Sequence, residues 1–195
     1  YYMGDFRGSV EDFETSLCLC VLTPCSLWCM SAAYVELGQC RSARDGLIAL
    51  LRHKRRPSSL LYPAAGLFSR IGDDELALQS CEELARKEPG SAVGYYGQAL
   101  FMSRMGYPSL AIQSRLRKAC ELSPDSIEYR VALGTVLSSS GSFREAQNVL
   151  GSLRLDSVIS SPLATRIARA AELAGDHERA SLWWARSLRL DTMMI

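Results

Sequence analysis

Glycine recurs through the whole chain at a nearly fixed interval. Gly4, Gly38, Gly72, Gly106, Gly141 and Gly175 are separated by 34, 34, 34, 35 and 34 residues. Small residues flank them at fixed offsets. Five positions after each glycine stand Ser9, Ala43, Ala77, Ala111, Ala146 and Ala180. Seven positions before every glycine but the first stand Ser31, Ala65, Ala99, Gly134 and Ala168. A three-point pattern with this period restricts the chain to architectures in which one small unit is stacked on copies of itself.

The residues between the glycines say what the unit is. Larger apolar residues fall at helical spacing before the turn, as in Leu27-Met30-Tyr34 and Leu61-Ala64-Phe68. After the turn they recur at Phe13, Leu47-Leu50, Cys81-Leu84, Leu150-Leu153 and Trp184-Leu188. The glycine supplies the left-handed backbone that closes one helix and reverses the chain. Asp or Ser follows it in Gly4-Asp5, Gly72-Asp73, Gly141-Ser142 and Gly175-Asp176, which suits capping of the next helix. The small positions let the paired helices approach closely. Pro24, Pro57, Pro89, Pro124 and Pro162 sit at the joints, where a helix begins or ends.

A helix-pair unit of this length resembles the tetratricopeptide repeat family. Gly72-Asp73-Asp74-Glu75-Leu76-Ala77-Leu78 and Lys118-Ala119-Cys120-Glu121-Leu122-Ser123-Pro124 are similar to its consensus. The resemblance implies an all-α, right-handed superhelical solenoid of antiparallel helix pairs. It would be a single array over residues 1–195, with a half unit at 1–23 and full units near 24–57, 58–91, 92–126, 127–160 and 161–194. The tryptophan usual near the start of the unit is replaced by Leu27, Leu61, Tyr95, Arg130 and Ala164, and Arg130 and Gln98 stand where apolar residues are usual. The unit at 92–126 carries one extra residue between Ala111 and Ala119. It is expected as a π-type bulge in the second helix or as a lengthened adjoining turn.

Composition excludes several roles. The net charge of +1 gives no general field to recruit nucleic acid or anionic lipid. The one basic run, His53-Lys54-Arg55-Arg56 before Pro57, reads as a solvated loop. No window approaches the roughly 20 apolar residues of a membrane-spanning helix, and no secretory leader is evident. Seven cysteines, with Cys18, Cys20, Cys25, Cys29 and Cys40 clustered early, suit free thiols in a reducing compartment, which favours the cytoplasm. No metal site is expected, because zinc commonly takes two close ligand pairs set well apart. Only His53 and His177 are present, and no nucleophile elbow, phosphate loop or dinucleotide motif occurs. An enzyme is not expected, nor any cofactor.

The expected working surface is a protein- or peptide-binding one, because a stack of such units forms a long concave face. The resemblance implies that first helices line it. The fifth positions of the full units are Trp28, Tyr62, Tyr96, Val131 and Thr165, so three rings stand in register. Ser69-Arg70 and Ser103-Arg104 follow along the same helical face, and Arg166 and Arg169 belong to the last unit, with Glu172 beside them. Rings beside arginines are the residue types that dominate protein binding; packing between helices is the competing explanation of the rings. The family's clamp for a C-terminal carboxylate is not matched, since the single asparagine, Asn148, falls on a second helix and no lysine lies on a first one. The alternative role is a structural module that self-associates, or packs on its own chain, through the exposed ends of the array.

Overall fold

The computed structural model describes residues 6–8, 10 and 23–192. Gly4, Ser9, Phe13, Cys18 and Cys20, which entered the sequence pattern, lie outside the described residues, as do positions 193–195. Ten α-helices run through residues 24–192, and no strand occurs among the described residues. They are α1 (Pro24–Glu36), α2 (Cys40–Arg52), α3 (Leu61–Arg70), α4 (Asp74–Lys87), α5 (Ala92–Arg104), α6 (Ser109–Leu122), α7 (Ile127–Ser139), α8 (Phe143–Gly151), α9 (Ser161–Leu173) and α10 (His177–Thr192). Single 3-10 turns at Ser58–Leu60 and Leu155–Ser157 precede α3 and α9. The chain divides into two compact units, residues 1–105 and 106–195, and the division falls inside the repeat read at 92–126.

The turn glycines behave as the period predicts. Gly38, Gly72, Gly106, Gly141 and Gly175 all have positive φ, between 72° and 84°. At Gly38, Gly72, Gly141 and Gly175 the next residue's N–H donates to the carbonyl five residues back; Asp73 N–H to Phe68 O is 2.9 Å. This satisfies a carbonyl that the helix end would leave bare. Asp73 and Asp176 then cap the following helices through the N–H groups of Leu76 and Arg179. Ser142 occupies the same place without a side-chain capping bond.

The extra residue lies in a turn. Three residues connect α1 to α2, α3 to α4, α7 to α8 and α9 to α10, whereas α5 and α6 are joined by the four residues 105–108. α6 itself is regularly α-helical. The insertion moves the register: the fourth residue of the second helix, Ala43, Ala77, Ala146 or Ala180 elsewhere, is Ile112 here, and it is buried while Ala111 is only half-buried.

Within the first unit, α1 packs on α2, α3 on α4, and α4 on α5. Close approach depends on missing side chains. A Cβ at Gly94 would come to 3.0 Å from the backbone nitrogen of Ala85, and one at Gly97 to 2.5 Å from Cys81 Sγ. Gln98, polar where the repeat usually has an apolar residue, is buried, but its amide donates to the Cys81 carbonyl at 3.3 Å. Burial pushes the Cys81 thiol up to about 12, with Glu82 adding to the shift, so Cys81 packs as a small neutral apolar residue.

The second unit is built around Val131, Leu150, Val158, Ile167 and Trp183. A Cβ at Gly134 would meet Leu150 at 2.5 Å. Cross-helix bonds reinforce the packing: Ser138 Oγ donates to Ala170 O at 2.8 Å, and Gln147 Nε2 to Ala174 O at 2.9 Å. Arg130, the other polar residue at a usually apolar position, is half-buried and donates to Ser152 Oγ at 3.1 Å. Three apolar positions differ from expectation. Leu153 is buried but lies beyond the end of α8, where residues 152–160 fold back and Arg186 holds the Val158 carbonyl. On α10 the fully buried ring is Trp183; Trp184 is half-buried and Leu188 is 66% exposed.

Two glycines of the first unit should respond in opposite directions. Gly72→Val puts a β-branched residue at positive φ where nothing else crowds it, so backbone strain alone should cost more than ~1 kcal/mol. Gly66 is exposed inside α3 with no atom near its Cβ position, so Gly66→Ala should stabilise by ~0.5–1 kcal/mol. Urea denaturation of both variants measures this. Equal stability of Gly72→Val and wild type would contradict the turn assignment.

Candidate functional site

The first helices of the first unit, α1, α3 and α5, lie side by side, α1 against α3 and α3 against α5. The repeat period therefore puts Trp28, Tyr62 and Tyr96 at equivalent points of successive helices. Their exposure is graded. Trp28 and Tyr62 are half-buried, whereas Tyr96 is 8% exposed. The cause is the close seating of α5 at Gly94 and Gly97, which draws the neighbouring Tyr96 inward. Tyr62 is partly structural as well, since its ring edge would be 3.1 Å from a Cβ at Gly97.

One helical turn beyond the rings, the surface opens. Gly66 and Leu100 follow Tyr62 and Tyr96 by four residues and share their helix faces. Gly66 is exposed, and Leu100 is 41% exposed. The equivalent residue on α1, Ala32, is buried. Neither Gly66 nor Leu100 was singled out from the sequence. The available signal was the spacing itself, one turn after each ring.

Arg70 and Arg104 close this face at the C-terminal ends of α3 and α5. Arg70 Nη1 is 2.7 Å from Glu36 Oε1 of α1, and Arg104 Nε is 3.0 Å from Asp74 Oδ2 of α4. The Arg70 hydrogen bond holds the Glu36 carboxyl below the ordinary carboxylate range. Ser69 Oγ donates to the other Asp74 oxygen at 2.9 Å. Both guanidinium groups therefore tie neighbouring helices together while remaining about half exposed, at 51% each. Ser103 is exposed.

The second unit treats the same repeat positions differently. Val131 is fully buried, and Thr165 Oγ1 lies 2.8 Å from Ser187 Oγ in a buried hydroxyl group that includes Ser161. Arg166 and Arg169 are exposed. Arg166 lines an open groove with Glu128, Ser160, Pro162 and Leu163. Glu172 accepts from Trp184 Nε1 at 2.9 Å.

The two histidines lie apart along the chain, in the loop after α2 and at the start of α10. His53 Nδ1 accepts from the Arg55 N–H at 3.2 Å, and His177 is the first residue of α10. Among the described residues, no three His, Cys, Asp or Glu side chains form a group that could hold a metal ion. Cys25, Cys29, Cys40, Cys81 and Cys120 are free thiols. Burial raises the Cys29 and Cys120 thiols above their ordinary value, with the nearby Cys25 adding to the shift at Cys29. No described helix is long and apolar enough to cross a membrane.

No protein-family model matches the sequence, and no curated protein does either. Solved structures do share the fold. A tetratricopeptide repeat protein from Parabacteroides merdae superposes with a TM-score of 0.77 at 16% identity, covering 95% of this chain and 73% of that one. A MamA structure gives 0.67 at 16% identity, covering 87% and 92%. PilF from Pseudomonas aeruginosa gives 0.67 at 14% identity, covering 94% and 85%. At these identities the likeness concerns the fold. It agrees with the period of the turn glycines and the paired helices they close: the chain has a tetratricopeptide-like repeat fold.

Proposed function

We propose that the chain is a non-catalytic scaffold that holds a segment of another protein on the first-helix face of residues 24–105. The observation that carries this reading is the open surface at Gly66 and Leu100, flanked by the half-buried Tyr62 and framed by Arg70 and Arg104. A glycine inside an exposed helix is unfavourable by itself, and the space above it admits a close approach by a partner's chain. Trp28 and Tyr62 supply ring surface beside it, whereas the buried Tyr96 supports the strip from beneath. The arginines already hold Glu36 and Asp74, so an incoming acidic group would share or exchange these ion pairs. Arg166, Arg169 and the groove at Arg166 are a separate candidate contact on the second unit.

A second reading, a module that associates through a helix face, is favoured by α10. Counted from the first residue of each helix, Leu78, Cys81 and Ala85 of α4 correspond to Ser181, Trp184 and Leu188 of α10. The α4 set is buried, and Cys81 and Ala85 lie directly against α5. On α10, Ser181 and Leu188 are exposed and Trp184 half-buried. Another helix, from a second copy or from the same polypeptide, would fit this face as α5 fits α4.

Two measurements test these readings. Peptides selected from a displayed random library on the intact protein should bind Tyr62→Ala and Gly66→Glu at least about tenfold more weakly, while Gln79→Ala on the outer face of α4 binds normally. Gly66→Glu should remain folded by circular dichroism, because its side chain enters open space. Selected peptides that bind Gly66→Glu as tightly as wild type would remove the groove reading. Under the second reading, light scattering over a concentration series should show masses above one chain, restored to a monomer by Leu188→Glu. A constant monomer mass would exclude self-association on α10.

A further inference from the structure

The basic run after α2 is anchored at one residue and open at the others. The Arg56 side chain is only 5% exposed. Its Nη1 donates to the Leu50 and Leu51 carbonyls at the end of α2, and its Nη2 bonds Glu83 of α4. Arg56 N–H also donates to His53 O at 3.1 Å, and Pro57 restricts the Arg56 backbone. These bonds fix the loop and leave Lys54 and Arg55 pointing into solvent.

Further cations converge on the same place. Lys87 Nζ lies 3.0 Å and Arg86 Nη2 3.8 Å from the Glu83 oxygen that Arg56 holds. One carboxylate thus faces three cations. Partial burial pushes the Glu83 carboxyl upward, but the Lys87 hydrogen bond and the charges of Arg56, Lys87 and Arg86 outweigh it and hold the group below its ordinary value. Arg86 remains 74% exposed and Lys87 37%. Arg52, Lys54 and Arg55 are exposed and make no ion pair among the described residues.

Helix-end electrostatics account for part of this cluster. Arg52, Arg86 and Lys87 occupy the last turns of α2 and α4, where cations offset the helix dipole. Lys54 and Arg55 serve no such purpose. The repeat does not require them either, since the corresponding segment after α4, Glu88-Pro89-Gly90-Ser91, carries no cation.

We propose that the loop 52–56, with Arg86 and Lys87, is a second docking surface of this unit and takes an acidic segment of a protein partner. Charge complementarity selects the occupant: five exposed cations are held over the end of α2, the loop after it and the end of α4, with Glu83 already saturated by its own neighbours. The extent of the patch favours a short run of carboxylates over nucleic acid. A polynucleotide typically gathers affinity from about six to ten phosphate contacts and, when single-stranded, from stacking on aromatic rings. No Phe, Tyr or Trp lies in this loop or in the last turn of α4.

The experiment uses the full chain and a fluorescein-labelled octaglutamate peptide, read by anisotropy at about 50 mM and about 200 mM salt. Binding should be measurable at low salt and fall at high salt. Lys54→Glu with Arg55→Glu should weaken it at least about tenfold, and the milder Lys54→Gln with Arg55→Gln should weaken it less, both with an unchanged melting curve because these side chains are exposed. Arg41→Glu with Arg115→Glu makes the same change in net charge elsewhere and should leave binding nearly intact. Absence of peptide binding by the wild type, or equal loss in the control, would overturn the proposal. So would tighter binding of a single-stranded oligouridylate of matching charge, which would make the surface one for nucleic acid.

Discussion

Within a repeat the two helices are joined by only three or four residues, and a left-handed residue at the turn lets the backbone reverse in so short a span. Gly72, at a φ of 84°, is such a residue, and the Asp73 N–H closes the exposed end of α3 by donating to Phe68 O. Because Asp73 also caps α4, one three-residue segment ends one helix, starts the next and sets their separation. The small residues on either side follow from this geometry. Ala65 and Ala77, on either side of the turn, are fully buried. The same arrangement, repeated with local variations, organises both units.

The close approach has consequences for polar groups. Helices seated at glycine or alanine bring backbone carbonyls within reach of neighbouring side chains, and buried amides and hydroxyls must use them. Gln98 reaches the Cys81 carbonyl and Ser138 the Ala170 carbonyl. Such bonds contribute modestly when made and are costly when broken. They bind one repeat to the next with a specificity that apolar packing alone lacks.

On the first unit the same packing sorts surface from core. Tyr62 and Tyr96 are equivalent in sequence, but the glycines of α5 pull Tyr96 into the interior and leave Tyr62 half-covered. Arg70 and Arg104, equivalent again, hold acids from different helices, one from α1 and one from α4. Arg56 stands in a run of cations yet is the most buried of them. Ion pairs at the exposed positions are screened by water and contribute little stability; they orient side chains. The face therefore presents neutral openings between charged groups held in ion pairs.

The helix-pair unit, its period, the turn glycines and the proline joints were legible in the sequence, because each follows from the conformational preferences of single residues acting locally. The presence of an extra residue was legible too, but the sequence left two places for it, a bulge in the second helix or a longer adjoining turn, and the structure puts it in the turn at 105–108. Exposure within the face could not be read, since Tyr96 and Leu100, one turn apart on α5, differ through how α5 settles against α4. Nor could the depth of Arg56 or the outward placement of Leu188. Those depend on which helix lies opposite, a relation between residues far apart in sequence, and only the packed tertiary structure decides it.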